Sequence, residues 1–429
     1  MADQPVQPPN LKKAIKLHHA VALYVSSVLG SGILVLPGLA AHIAGPASLV
    51  AWAVLAAASY PFAFTFASLS SRRPESGGIY GFAKESFGFP AAVVSGWLFA
   101  FWYITGAPAA TLIAASYLGY AFPLSKFVIF VVAGTIICLA FVINYRGIVL
   151  SSQIQLAVII AIIALLLAAV AFSFGTMKAS NFTPFAPNGL LATGTAAALI
   201  FWSYLGYENV SNVAEEFQDP QRDFHRSILL SVVIISSLYL AIAVVTIGTQ
   251  AYKAGGSVAP FAVMLSNVLG KYGGAGTAIL AIVIIFATAN AYTAGMSRVV
   301  LAIARDRGLP GWLDHVDQKS GAPTRSLMLL SGSALLVLTF YYFFKVDLET
   351  ALLIPSGAAI LVYIIGSAAG IRLLREPGRQ RIFPWISFVL SIVLLPFVGL
   401  AAIGSILAGL AAFLYVRTRS RQVPDEPGE

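Results

Sequence analysis

Runs of about 18 or more predominantly apolar residues follow one another along almost the whole chain, and nothing else in the sequence constrains the fold as strongly. Wound as a helix rising ~1.5 Å per residue, each run is long enough to cross the roughly 30 Å of hydrocarbon in a bilayer. Lipid offers no hydrogen-bond partners, so a spanning segment must satisfy its own backbone, which a helix does internally. Of the 429 residues, 59% are hydrophobic and only 10% charged, too few charges to cover a water-soluble core of this length. The chain is therefore expected to be an all-α polytopic membrane protein.

Twelve spans are predicted, over residues 17–43, 47–70, 89–118, 127–144, 151–174, 191–214, 227–249, 274–304, 326–344, 349–373, 383–399 and 401–416. With the N-terminus in the cytoplasm, Lys12, Lys13, Lys16, Arg72, Arg73, Lys84, Arg146, Arg222, Arg226, Arg305, Arg307, Lys319, Arg325, Arg372, Arg375, Arg379, Arg381, Arg417, Arg419 and Arg421 fall on the inner side. The outer side keeps Lys126, Lys178, Lys253, Lys271 and Lys345. This asymmetry places both termini in the cytoplasm, and it accounts for the net charge of +9 as topology rather than as a nucleic-acid surface. The first apolar segment is too long for a cleaved signal, so it stays in the protein. Residues 1–11 and 418–429 are polar and are expected to be disordered cytoplasmic tails.

Chemistry-bearing clusters are scarce. The single cysteine, Cys138, excludes an intramolecular disulfide and a cysteine metal site. His18, His19, His42, His225 and His315 sit at span ends or in loops without metal-ligand spacing. A membrane enzyme would place paired carboxylates or histidines within the bilayer. Neither enzyme, metal nor cofactor is expected.

Two spans are written against their own helices. "VLGSGILVLPG", residues 28–38, sets Gly30 and Gly32 around Ser31, although glycine costs about 1 kcal/mol relative to alanine in a helix interior. "IFWSYLGYENVSNVAEEFQDPQRD", residues 200–223, carries Gly206 mid-span, Glu208 just beyond it and a polar second half. The two lie five spans apart, as the starts of two five-helix repeats would, covering 12–174 and 175–375, with 376–417 as a peripheral pair. Matched interruptions of this kind point to a binding site near the midplane of a transporter. A break leaves N–H groups free on one half-helix and C=O groups on the other. The amides of Ser31, Gly32 and Ile33 would meet a carboxylate at the positive end of the second half-helix. The carbonyls of Val28, Trp202, Ser203 and Leu205 would accept from an ammonium group, so a zwitterion fits both ends. Glycines that serve only close helix packing are the alternative for either break alone.

At these residues the chain resembles the amino acid, polyamine and organocation superfamily of secondary transporters. The resemblance is carried by "GSGILVLPG" in the first span, "RRPESGGIYGFAKESFG" after the second, "FWSYLGYENVSNVAEEFQDPQRD" in the sixth and "MSRVVLAIARDRGLPGWL" closing the eighth. It looks most like the bacterial exporters and exchangers of the methionine and branched-chain type, while "FWSYLGYE" is also close to the arginine/agmatine antiporters. What the resemblance implies is ten core helices in two inverted five-helix repeats, the first and sixth broken, plus two peripheral helices, working by alternating access in the bacterial inner membrane. Gly30, Ser31 and Gly32 match the family's carboxylate-binding loop. Trp202, Ser203 and Leu205 match the segment that holds the amine and supplies an aromatic lid, and Tyr292 in "ATANAYTAG" falls at a substrate-lining place.

The sequence departs from some relatives. The fifth span, "SSQIQLAVIIAIIALLLAAV", puts Ile162 where certain proton-coupled members have a lysine. Coupling through that ammonium is therefore in doubt, which leaves pure exchange or proton uptake at Glu208, unless Glu208 acts only as a strut on exposed backbone. The third span offers Ala107 and Pro108 where the arginine antiporters present a polar side chain. Apolar walls cannot solvate a buried cation, so the expected substrate is a neutral, apolar amino acid. A cationic amino-acid or polyamine antiporter and a non-transporting sensor are the alternatives. Beyond the span ends, Glu215, Glu216, Asp219, Arg222, Asp223, Arg226, Arg298, Arg305 and Arg307 form either an inner gate or a solvated loop. The expected partners are the substrate, the bilayer and, as a candidate coupling ion, the proton, in a monomer or homodimer.

Overall fold

The computed structural model describes residues 17–72, 78–147, 152–207, 220–253, 256–376 and 378–420. Among these residues every regular element is helical. In chain order they are α1 (Leu17–Val28), α2 (Gly32–Ala44), α3 (Ser48–Arg72), α4 (Ile79–Phe87), α5 (Phe89–Ala121), α6 (Lys126–Tyr145), α7 (Ser152–Phe174) and α8 (Leu191–Ile200). Then follow α9 (Pro220–Gly248), α10 (Pro260–Leu269), α11 (Lys271–Arg305), α12 (Thr324–Phe343), α13 (Leu348–Leu373), α14 (Arg379–Leu394) and α15 (Ala402–Ser420).

Among the described residues, nine helical stretches are long and apolar enough to cross a membrane. Two of them, Gly32–Arg72 with 41 residues and Arg379–Thr418 with 40, would each measure about 60 Å at 1.5 Å per residue, twice the hydrocarbon thickness. Both are interrupted within. The first contains the 3₁₀ turn Gly45–Ala47, where Gly45 takes φ 60°. The second contains Leu395–Ala401, where Gly399 takes φ 63°. By contrast α1, with 12 residues, and α8, with 10, are each too short to cross alone.

Two short helices stand where the sequence suggested loops. α4 is amphipathic and lies between Gly78 at φ 69° and Gly88 at φ 85°. α10 opens with Pro260 in its first turn and stops at Gly270, φ 60°. Neither is long enough to span. Several helix ends differ from the expectation, among them these: α8 stops at Ile200 rather than at 214, α9 begins at Pro220 rather than at 227, α14 begins at Arg379 rather than at 383 and gives way to a 3₁₀ turn after Leu394, and α15 continues to Ser420. The extension of α15 carries the helix three residues into the segment expected to be a disordered tail, and the other residues of that tail and all of residues 1–11 lie outside the described residues.

α5 is the central post. Its 33 residues pack along α11, α13 and α15, and its face is dotted with small side chains that let neighbours approach. Edge-to-face rings weld α3 to α13 and to the segment after α8: Phe62 and Tyr363 have centroids 5.4 Å apart, Phe201 and Tyr363 5.1 Å. Apolar side chains are turned outward on the periphery, as on α14 and α15, where lipid rather than water would be the solvent.

Candidate functional site

Both glycine-bearing segments are interrupted. α1 ends at Val28, Gly30 N folds back onto Val28 O at 2.8 Å, and α2 starts at Gly32. Ser31 stands at the cap position with helical backbone (φ −60°, ψ −29°) and makes no side-chain capping bond. Leu34 N bonds to Ser31 O at 3.2 Å, while the amides of Gly32 and Ile33 emerge at the break without an intrahelical acceptor. On the other segment, α8 tightens after Ile200 into a 3₁₀ turn over Phe201–Tyr204. Leu205 is then extended at φ −78°, ψ 150°, and Gly206 turns at φ 122°.

The two breaks are fastened to each other. Ser27 Oγ donates to Gly206 O at 2.7 Å. The Tyr239 hydroxyl of α9 lies 3.2 Å from Val28 O and 3.0 Å from Ser203 O, so one proton is shared between carbonyls of both breaks. Trp52 and Tyr204 pack their rings on Tyr239, with centroids 5.5 Å and 5.2 Å away, and fix its orientation. Close approach dictates glycine at two positions. A Cβ on Gly206 would run into the carbonyl of Ser27, and its φ is one that other residues rarely adopt. A Cβ on Gly32 would stand 2.7 Å from Ser203 Oγ and 2.8 Å from Trp202 Cδ1.

Between the breaks lies a cavity of about 540 Å³. Eight of the ten residues singled out from the sequence line it: Val28, Gly30, Ser31 and Gly32 at the first break, Trp202 and Leu205 at the second, Ala107 on α5 and Tyr292 on α11. Ile33 and Ser203 do not. Ile33 is turned into the core, and Ser203 Oγ is buried with no hydrogen-bond partner among the described residues. Glu208 lies outside the described residues, as do Glu215, Glu216 and Asp219. Trp202 is half-buried, its indole wedged between two glycines, Gly32 on one side and Gly106 of α5 on the other; a Cβ on Gly106 would meet its Cη2 at 2.7 Å. Ile162 also lines the cavity, and Pro108 does not.

The walls were not picked out residue by residue, yet their signal is periodic. α5 contributes Phe99, Trp102, Tyr103, Gly106, Ala107 and Ala110, and α11 contributes Ala287, Thr288, Ala289, Ala291, Tyr292, Gly295, Met296 and Val299. The α5 set, and the α11 set apart from Ala287 and Ala289, follow the three-and-four spacing of a single helix face. Anchoring Ala107 and Tyr292 would have revealed the rest. Tyr239 lay in the sequence as a single aromatic hydroxyl in the seventh apolar run, a feature that spacing alone does not mark.

No Asp, Glu, Lys, Arg or His lines the cavity among the described residues. Its hydroxyls are largely committed elsewhere: Tyr103 OH pairs with Thr293 Oγ1, and Thr288 Oγ1 donates to Ile284 O at 2.9 Å. The polar chemistry offered to a ligand is therefore main chain at the breaks, facing an aromatic and aliphatic chamber.

A second polar cluster lies at the C-terminal end of α11. Lys84 Nζ on α4 meets Asp306 Oδ2 at 2.7 Å, Tyr80 OH donates to the same oxygen at 3.0 Å, and Trp97 Nε1 donates to Gly308 O at 2.9 Å. Burial, and then the bond to Asp306, push the Tyr80 hydroxyl above its ordinary pKa. Arg305 pairs with Asp314 at 3.1 Å, and Arg298 Nη1 donates to Ala294 O of its own helix at 3.0 Å.

The amino acid permease family model matches residues 15–425. The chain belongs to the amino acid permease family. It is 34% identical over 414 residues to an uncharacterised amino acid permease, YecA, of Bacillus subtilis, covering 96% of this chain and 97% of that one. The L-methionine/branched-chain amino acid exporter YjeH of Escherichia coli is 29% identical over 424 residues, covering 97% and 98% respectively. The branched-chain amino acid permease BcaP of Bacillus subtilis is 27% identical over 334 residues, 73% of this chain and 72% of that one. This permease is a membrane protein with several apolar helices.

Proposed function

We propose that this permease is a secondary active transporter that exchanges or exports neutral, apolar L-amino acids by alternating access. The reading rests on one observation above the others: the cavity between two interrupted helices presents free main chain and no Asp, Glu, Lys, Arg or His side chain among the described residues. A carboxylate would be met by the N-terminal amides of α2 and an ammonium group by break carbonyls. A guanidinium or a second ammonium in the side-chain region would lie unpaired against Phe99, Trp102 and Met296, which costs several kcal/mol. The names of YjeH and BcaP support the same substrate class.

On this reading the twelve expected spans form two inverted repeats, 12–174 and 175–375, with a peripheral pair at 376–417, in a bacterial inner membrane with both termini cytoplasmic. Trp202 closes over the substrate as the lid. With Ile162 rather than an ammonium on the cavity wall, movement is driven by exchange or by a proton taken up at Glu208.

Counterflow in proteoliposomes tests the proposal. Vesicles loaded with leucine should accumulate labelled leucine or methionine, with Trp202→Ala losing uptake while eluting as a monodisperse protein. Binding without trans-stimulation would make the protein a sensor. Arginine or agmatine outcompeting leucine would refute the neutral substrate. Repeating the assay under imposed proton and sodium gradients separates coupled movement from pure exchange.

A further inference from the structure

Away from the cavity, the C-terminal ends of α3 and α13 and the residues just after α13 border an open hollow of about 630 Å³ lined by Arg72, Arg372, Leu373, Arg375 and Glu376. Three guanidinium groups against one carboxylate among the described lining residues leave the hollow with a charge of about +2, far from neutral. Two of the arginines are anchored through their side-chain nitrogens. Arg72 pairs with Glu376 at 2.6 Å and with Gln380 Oε1, and Arg375 Nε donates to Arg372 O at 3.1 Å. The third, Arg372, lies with its guanidinium carbon 5.6 Å from the centroid of the Phe87 ring. Planar guanidinium groups held this way match the oxygens of a phosphate.

Beyond Gln380, which accepts from Arg72 of the hollow, α14 carries an exposed apolar strip. Ile382, Trp385, Ile386 and Val389 recur at helical spacing on α14 and are 37% to 56% exposed. Gln380, bonded to Arg72, precedes Trp385 by five residues, about 7.5 Å of helix, which is close to the depth of one headgroup layer. The arginines thus sit at headgroup height while the strip beneath them sits at acyl height.

We propose that this hollow binds the phosphate of an anionic phospholipid, whose acyl chains lie along the exposed face of α14. The phosphate of a zwitterionic lipid carries its own ammonium partner and gains less from the uncompensated arginines. If these arginines served only to orient the chain in the membrane, they would show no preference among lipids.

Native mass spectrometry of the full-length protein, transferred from micelles holding equal phosphatidylglycerol and phosphatidylethanolamine, reads the preference directly. Wild type should retain phosphatidylglycerol in excess. Arg372→Gln/Arg375→Gln leaves the Arg72–Glu376 pair in place and should lose retention about 5-fold per arginine, roughly 25-fold for the pair. Lys271→Gln/Lys345→Gln, with the same loss of charge elsewhere, should retain as wild type does. Equal retention by wild type and the arginine variant, or no excess over phosphatidylethanolamine, overturns the proposal. So does inorganic phosphate that stays bound and displaces the lipid, which would make the hollow a free-anion site. The readout involves no transport, so its failure leaves the amino-acid reading intact.

Discussion

Replacing Gly32 with alanine puts a methyl group where the two interrupted helices touch, while the same change at Gly30, two residues earlier, puts one into ordinary space. The Gly32 Cβ would stand 2.7 Å from Ser203 Oγ, 2.8 Å from Trp202 Cδ1 and 3.2 Å from Leu36 Cδ1. Trp202 cannot retreat, because Gly106 backs its ring from the other side. The backbone of one break must therefore move, at the ~1–3 kcal/mol typical of overpacking. Any equilibrium that needs the two breaks in contact then shifts about 5- to 150-fold. The nearest neighbours of a Gly30 Cβ are Thr288 Cγ2 at 3.8 Å and Val28 O at 3.9 Å, both ordinary contacts. Gly30→Ala should change stability by no more than ~0.5 kcal/mol, as substitutions without a clash do. The assay is the thermal midpoint of the purified proteins by fluorescence-detected size exclusion, paired with half-saturation for leucine counterflow. Gly32→Ala should lower the midpoint and raise half-saturation at least 5-fold. A Gly32→Ala protein as stable and active as wild type, or a Gly30→Ala protein more damaged than it, would refute the packing argument.

Tyr239→Phe removes the hydroxyl shared by Val28 O and Ser203 O, leaving the latter without its partner, and should cost about 1–3 kcal/mol, seen as a lower thermal midpoint. Asp306→Asn should loosen α4 from the end of α11 by weakening the bonds from Lys84 and Tyr80, raising the exchange of α4 amides in hydrogen–deuterium measurements while leaving α5 protected. Asp317 accepts from the Ser320 amide at 2.8 Å and its hydroxyl at 2.9 Å, which holds its carboxyl below the ordinary 3.8. A depressed pKa stabilises the folded loop above the unfolded value and loses that effect only as pH falls through the folded one. Asp317→Asn should therefore leave the shape of the transport pH profile between about pH 5 and 8 unchanged, and a flattened profile would show that the carboxylate titrates there.

The reach of the sequence differs from element to element for physical reasons. Spans declare themselves because lipid demands long apolar helices, and α6, α7 and α12 begin and end within two residues of the expected bounds. The breaks declare themselves because glycine mid-span is costly. The short helices α4 and α10 escaped because each is too brief for periodicity to separate helix from loop, and tertiary contacts decide. At the site, Ser203 was placed correctly in the break but not on the cavity, since which side of a 3₁₀ turn faces a chamber depends on packing against Gly32 and Tyr239. Ile33 went the same way: its position on α2 was legible, while the direction of its side chain followed from the core around it.

The fastening of the breaks alters what the exposed backbone can do. Four carbonyls, those of Val28, Trp202, Ser203 and Leu205, stood out in the sequence as acceptors for an ammonium group. Val28 O and Ser203 O already share the Tyr239 proton, and Trp202 O accepts from Leu205 N at 3.4 Å. Val28 O, which also accepts from Gly30 N, has both lone pairs engaged, and Ser203 O and Trp202 O keep one each, so a substrate amine meets partly satisfied acceptors whose hydrogen bonds net only about 0.5–1.5 kcal/mol. Tight capture is disfavoured by this arrangement, whereas an exchanger needs its cargo to leave again at each face. On the proposed reading, an amine that approaches Val28 O, which is on the cavity wall, competes with the Tyr239 hydroxyl, whose proton then turns to Ser203 O alone. Under that proposal, occupancy would loosen the link that Tyr239 makes between the two breaks, at the point where an alternating-access permease must move.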